Sequence, residues 1–205
     1  MLCRPFHKFF NVGELDETDE EGLDIGDGGY TVLEKLDGAP FAAFMLKGNV
    51  EFSSKTGINK KCAQIKKLVE AEGNERYVSF SAHCISKGLT PIFEYVGPKE
   101  KRVVQYNQER LVLTALREMS TGRYVSYEEM LKASGEHEIA CVRNVPSKAA
   151  TVAELKKELN RLDEKIEGYV LRLKNGQMYK IKSQFYLKST VNSDLVVQDW
   201  KVFPF

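Results

Sequence analysis

The sequence has no apolar run near the ~20 residues that a membrane-spanning helix needs, and its start, Met1-Leu2-Cys3-Arg4-Pro5, lacks the apolar stretch of a secretory signal. Cysteine is scarce. Cys3, Cys62, Cys84 and Cys141 are scattered, without paired spacing near the three histidines, which argues against a disulfide framework and against a zinc site. Reduced thiols in a cytoplasmic protein are the expectation. Repeats, linkers and low-complexity tracts are missing too, and the 205 residues, 42% of them apolar, suffice for one substantial core, or for a large domain with a small appendage.

Net charge is almost absent, a formal +1, which at first sight argues against a polyanionic partner. The charge is unevenly spread, however. Residues 14–27 hold eight acids and no base, which leaves the rest of the chain with 30 bases against 21 acids, a net +9. A basic body with one acidic loop suits a nucleotide or nucleic-acid substrate, and equally suits an ordinary domain with a solvated loop.

What the chain does contain is organised around Leu33-Glu34-Lys35-Leu36-Asp37-Gly38. Tyr30 to Leu33 reads as a strand, Asp37-Gly38 as a turn, and Ala39 to Leu46 as a second strand, so Lys35 is expected at the mouth of a strand pair. A lysine there, followed by an acid and a glycine, can attack a phosphorus while the glycine lets the backbone approach a nucleotide. A surface hairpin with an exposed lysine fits the same six residues.

The remaining pattern is mixed. Arg4 to Asn11 packs two bases and three aromatics into eight residues, and a hydrophobic anchor would explain the phenylalanines but not Arg4 or Lys8. Val50 to Ser54 reads as a strand leading into Lys55-Thr56-Gly57. Ile58, Cys62, Ile65 and Val69 predict a helix over 58–72, and a second is expected over 75–87, closed by Gly88. Leu89 to Val96, Arg102 to Tyr106 and Arg110 to Arg117 read as strands, and Ser126 to Ala133 as a short helix. In the first of these strands Glu94 shares a face with Ile92 and Val96, an unusual place for a surface carboxylate; a buried ion pair or a ligand contact would account for it. Thr151-Val152-Ala153-Glu154 is a capping box for a helix ending near Asp163. Ile166 to Leu173 and Gln177 to Ser183 form a hairpin around Lys174-Asn175-Gly176. Its second strand puts Lys180 and Lys182 on one face among aromatic and apolar neighbours, which suggests a cleft rather than a solvated face.

Taken in order, Lys35-Leu36-Asp37-Gly38, Phe93-Glu94-Tyr95-Val96, Glu167-Gly168-Tyr169-Val170 and Tyr179-Lys180-Ile181-Lys182-Ser183 resemble the motifs of the covalent nucleotidyltransferases, the ATP-dependent DNA and RNA ligases and capping guanylyltransferases. The chain is most similar to the phage RNA ligase 1 type, the tRNA-repair RNA ligases. Arg4-Pro5 with Lys8-Phe9-Phe10-Asn11, Ser54-Lys55 with Gly57, Arg102-Val103-Val104 with Tyr106, and Thr121-Gly122 with Tyr124, Ser126 and Tyr127 look like segments of that family, so the resemblance runs from Arg4 to about Ser193. It implies an α+β, ATP-grasp-like nucleotidyltransferase domain of antiparallel sheets flanked by helices. Ligases of this type also carry a helical C-terminal domain, so residues 1–205 look like an almost bare catalytic domain.

The resemblance implies an ATP-dependent RNA ligase that joins 5′-phosphate and 3′-hydroxyl RNA ends through lysyl-AMP and RNA-adenylate intermediates, with Mg2+ or Mn2+ as the ion. Lys35 would be the nucleophile. Lys180 and Lys182 would hold the triphosphate and help activate Lys35, since freeing an ordinary lysine of its proton near neutrality takes a shift of roughly 3 pKa units, about 4 kcal/mol. Glu94 would accept from a ribose hydroxyl, Glu167 would lie on the metal side of the nucleotide, and Glu34 would accept from the adenine amino group. Arg4 and Lys55 would bind the outer phosphates. A DNA ligase, an mRNA capping enzyme, or a non-catalytic nucleotide- or RNA-binding module are the alternative readings.

Overall fold

The computed structural model describes residues 2–26, 29–98, 100 and 103–190. Its described residues form eight strands, four bounded α-helices, a further helical stretch over 184–190 and one 3-10 turn at Asp16–Thr18. The chain divides into two compact units. One comprises Met1–Lys8, Gly38–Glu100 and Tyr106–Val142; the other comprises Phe9–Asp37, Lys101–Gln105 and the chain from Arg143 on. The α+β class expected from the sequence, with largely antiparallel sheets and flanking helices, is what the chain adopts.

The first unit holds an antiparallel sheet of β3 (Ala39–Leu46), β4 (Asn49–Ser53), β5 (Leu89–Val96) and β6 (Arg110–Glu118), in the order β4-β3-β5-β6. Helices α1 (Lys60–Glu70) and α2 (Glu75–Ser86) pack on it, and α3 (Tyr127–Glu136) lies against β6. Phe93 is the centre of this core: Phe52, Tyr77 and Phe80 surround its ring at 6.0–6.4 Å, two of them edge-on. Alternation then turns Glu94 to the other face of β5, where it is half-buried. Helix α1 starts later than the apolar spacing predicts. Asn59 caps it, accepting from the amides of Lys61 and Cys62, and Ile58 is left outside at 67% exposure.

The second unit is a sheet of β1 (Phe10–Asn11), β2 (Tyr30–Lys35), β7 (Gly168–Leu173) and β8 (Met178–Lys182), ordered β1-β8-β7-β2. Only the β1–β8 pairing is parallel, and β1 had no signal beyond the phenylalanines. Residues 143–145 extend the sheet beside β2: Glu34 N donates to Arg143 O at 2.9 Å and Val145 N to Val32 O at 2.8 Å. Helix α4 (Val152–Arg161) covers one face with Val152, Leu155 and Leu159, against Val32, Tyr169, Leu171, Tyr179 and Ile181. Thr151 caps α4 by accepting from Glu154 N, whereas the Glu154 carboxylate reaches Ala150 N, so the expected reciprocal box is half formed.

Two sequence expectations are corrected. β2 and β3 do not pair across the Asp37-Gly38 turn; each belongs to its own sheet. Asp37 is buried and accepts from Val104 N at 3.1 Å, and a Cβ on Gly38 would overlap Tyr95 O and come within 3.0 Å of Glu94 Cγ. The chain therefore leaves one sheet and enters another at a close backbone approach that only glycine permits. The second correction is the strand expected from Arg102 to Tyr106: residues 103–106 join no sheet, the Val104 amide being taken by a side chain, and Arg102 lies outside the described residues.

Gly168 is the position where the fold is least tolerant. Its φ is +154°, and an added Cβ would clash with Ile181 O and sit 2.8 Å from Lys182 Cα on the paired strand. Gly168→Ala is expected to lower stability by roughly 2 kcal/mol or more, about 4–8 °C in Tm for a chain of this size. A thermal melt within 1 °C of the parent would show that the strand pair relaxes freely there.

Candidate active site

Register places the lysines. Lys35 pairs with Gly168, and Gly168 pairs with Lys182, so Lys35 and Lys182 stand on one face with a side-chain-free position between them. Lys180 lies two residues along β8 on the same face, while Tyr179 and Ile181 fill the α4 core on the other. The alternation that commits Tyr179 and Ile181 to the α4 core thus also assembles the three lysines on the opposite face of the sheet.

Glu167, one residue before β7, supplies the opposing charge. Its Oε2 lies 2.6 Å from Lys35 Nζ, and the two side chains are only 10% and 21% exposed. Burial pushes the Glu167 carboxyl above its ordinary range; Lys35 and Lys182 oppose that rise, and the buried Asp37 charge adds to it. Lys180 is moved the other way. Burial lowers its pKa first, and the neighbouring Lys35 and Lys182 charges lower it further, against Glu14 and Glu167. Each lysine of the pair rests on a ring: Lys180 Nζ is 4.9 Å from the Phe9 centroid and Lys182 Nζ 5.4 Å from that of Tyr186.

Glu34 is turned away from this face. It pairs across the strands with Tyr169, whose side chain is in the α4 core. Arg143 Nε donates to Glu34 Oε2 at 3.0 Å, and the same guanidinium grips Glu164 with Nη1 at 2.9 Å and Nη2 at 2.5 Å. The clamp therefore joins the residue before Lys35 to the approach to Glu167. Glu164, held by Arg143, titrates below the usual carboxylate range, and burial together with the Glu164 charge pushes Tyr169 up to about 12. Arg143 and Glu164 had no sequence signal, because their partners are 109 and 21 residues distant from Arg143.

The other sequence candidates belong to the first unit. Glu94 is half-buried beside Gly38. Lys55 is exposed on a tight turn closed by reciprocal Ser54 and Gly57 backbone bonds of 3.1 Å. Arg4 is anchored by its amide, which donates to Thr90 Oγ1 at 2.9 Å.

Among the described residues no group of three or more His, Cys, Asp or Glu side chains could enclose a metal. At the lysine face the Glu167 carboxylate is paired with Lys35, with the Asp37 and Glu14 charges close enough to act on the cluster. Carboxylate oxygens without an enclosing protein cage fit Mg2+ or Mn2+ bound through one or two carboxylates, water and the phosphates of a nucleotide, the usual manner for Mg2+. No helix of the described residues is long and apolar enough to cross a membrane.

Comparison with known proteins gives this arrangement a context. The family model for RNA ligase matches residues 1–192. The chain belongs to the RNA ligase family. It is 32% identical over 193 residues to a Thermovibrio ammonificans protein provisionally named an RNA ligase, covering 91% of this chain and 48% of that protein. RNA ligase 1 of bacteriophage TS2126 is 32% identical over 132 residues, 61% of this chain and 33% of the phage protein. The chain thus spans half or less of the length of these curated relatives. Among solved structures, a mutant Naegleria gruberi RNA ligase with ATP and Mn superposes with a TM-score of 0.68 at 14% identity, over 91% of this chain and 58% of that one. An archaeal ATP-dependent RNA ligase gives 0.62 at 20% identity, over 89% and 49%. These likenesses establish the fold.

The clamp carries a prediction. With Arg143 46% exposed, the coupling between Arg143→Ala and Glu164→Gln in a double-mutant cycle should be about 0.5–1 kcal/mol of unfolding free energy. Additive effects would mean that the two side chains do not support one another.

Proposed function

We propose that this chain is the adenylyl-transferring part of an ATP-dependent RNA ligase acting on RNA ends with a 5′-phosphate and a 3′-hydroxyl. The observation that carries the reading is the convergence of Lys35, Lys180, Lys182 and Glu167 on one face of one sheet, in a chain of the RNA ligase family.

Lys35 is the nucleophile. Its Nζ attacks the α-phosphorus of ATP, the bond to the bridging oxygen of pyrophosphate breaks, and AMP remains on Lys35. An oxygen of the RNA 5′-phosphate then attacks that phosphorus, returning the amine to Lys35. Finally the 3′-hydroxyl attacks the activated 5′-phosphate, and AMP leaves as the strand closes. Glu167 is paired with Lys35 at 2.6 Å, so that pair must open and the amine must give up its proton before it can attack. Lys180 and Lys182, fixed by register and by their aromatic seats, offset the charge growing on the phosphate oxygens. A divalent ion held through Glu167 would neutralise part of the triphosphate charge.

In the first unit, Glu94 is assigned to a ribose hydroxyl, and Arg4 and Lys55 to the outer phosphates. For Glu34 we propose anchoring of β2 through Arg143 in place of a contact to adenine, because its carboxylate lies on the core side of the strand. Glu34→Ala should then leave the preference for ATP over GTP unchanged; a loss of that preference would restore the base contact.

The test is strand joining. The chain should join single-stranded RNA ends, seal pre-adenylylated RNA without ATP, and act poorly on nicked duplex DNA. Lys180→Ala or Lys182→Ala should slow AMP uptake by at least ~100-fold, whereas Lys174→Ala, on the hairpin turn, should change little. Sealing of the DNA nick with RNA ends left unjoined would overturn the RNA assignment. Equal losses at all three lysines would reduce the site to general electrostatics.

A further inference from the structure

The turn that follows β1 is built around one carboxylate. The Asn11 amide N–H and the Asn11 Nδ2 both donate to Glu14 Oε2, at 2.7 and 2.6 Å, and Glu14 N donates back to Asn11 O at 3.1 Å. Gly13, at φ +77°, supplies the left-handed step that lets Glu14 fold back. A carboxylate only accepts, so these bonds orient the Asn11 side chain: Nδ2 faces Glu14, and Oδ1 is turned away from it. That oxygen is buried and accepts no hydrogen bond. A buried carbonyl oxygen is costly until a donor reaches it.

Register brings a donor to the same place. Asn11 pairs with Lys180 across β1 and β8, and Val12 N donates to Lys180 O at 3.0 Å. Val12 packs against the α4 core, so Asn11 stands with Lys180 on the opposite face. Phe9, two residues earlier, carries the Lys180 ammonium over its ring at 4.9 Å. One short stretch of chain therefore offers this lysine a ring, a carbonyl oxygen and a carboxylate. The rest of its surroundings are mostly hostile. Lys35 from β2, Lys182 on its own strand and the buried Arg172 of β7 are like charges on this face, and Glu167 is paired with Lys35. Burial, then the Lys35 charge and last the Lys182 charge lower the Lys180 pKa; Glu14, ahead of Glu167, holds it up.

We propose that Asn11 and Glu14 are positioning residues for Lys180: Asn11 fixes the Glu14 carboxylate and offers Oδ1 to the ammonium, and Glu14 supplies its counter-charge. The Phe9 ring and the Asn11 oxygen are then two rests along β1 between which Lys180 turns as a phosphate arrives or leaves. What Lys180 does there rests on the adenylyl-transfer reading; how it is held does not. A turn that merely closed β1 would need an acceptor at residue 14 and would have no use for its charge.

The experiment separates charge from packing. Glu14→Gln keeps an acceptor for the two Asn11 bonds and removes the charge, whereas Asn11→Ala removes Oδ1 and one of those bonds. The Lys180 titration is read without nucleotide, by brief acetic anhydride labelling across pH and mass spectrometry of the Lys180 peptide against a standard amine. AMP uptake from ATP and Mg2+ is measured over the same pH range. Glu14→Gln should lower the Lys180 midpoint by roughly half a pH unit, the size of a solvent-screened charge pair. Lys180 offsets phosphate charge only while protonated, so the basic limb of AMP uptake should move down by about as much. Asn11→Ala should move both in the same direction, and Glu14→Asp, which keeps the charge on a shorter stem, should recover part of the shift. A Lys180 midpoint unmoved in Glu14→Gln would overturn the inference, and a lowered melting temperature beside that unmoved midpoint would reduce the turn to packing. A wild-type chain that takes up no AMP would instead sink the ligase reading, with the labelling still deciding whether Glu14 acts on Lys180.

Discussion

Three lysines share one face of a four-stranded sheet, and the buried Glu167 carboxylate is paired with one of them. Unit charges ~4 Å apart interact by about 4 kcal/mol at an effective dielectric constant of ~20, so such a cluster would resist folding without compensation. Glu167 provides it, at 2.6 Å from Lys35. The compensation is incomplete. Lys180 is depressed by burial and by its neighbours, while Glu167 is raised by burial. A polyanion entering this face would complete a charge balance that the protein alone leaves open.

The geometry rests on strand register more than on loops. The Lys35, Gly168 and Lys182 row is fixed because the opposite face of the same strands is buried against α4; a one-residue slip would send Tyr179 and Ile181 to the free face and the lysines into the core. Gly168 keeps the row open. Arg143 ties the two lead-ins together, bonding Glu34 beside Lys35 and Glu164 just before Glu167. Stability and chemistry therefore share the same residues, and packing on one side of the sheet sets distances on the other.

Much of this was legible in the sequence. The Asn175-Gly176 hairpin, the alternation of Lys180 and Lys182 against Ile181, the β5 strand and the α4 helix carry strong local signals, and each stands where those signals place it. The failures are of one kind. The turn at Asp37-Gly38 looks like a hairpin locally, but its strands find partners in different sheets, a choice decided by the burial of Asp37 and the close approach at Gly38. For Glu34 the sequence shows only that adjacent residues on a strand face opposite ways; the bond from Arg143 to its carboxylate comes from a residue 109 positions away. Contacts across a hundred residues, such as Arg143 with Glu34 or Arg117 with Pro5, leave no periodic trace for a single sequence to show.

The central claim is that Lys35 takes AMP covalently while Lys180 and Lys182 do not. The most direct measurement is peptide mapping by mass spectrometry after incubation with ATP and Mg2+, under conditions that preserve a phosphoramidate. The account predicts a single AMP, carried by the peptide that contains Lys35. An adduct on Lys180 or Lys182, or none at any lysine, would contradict it.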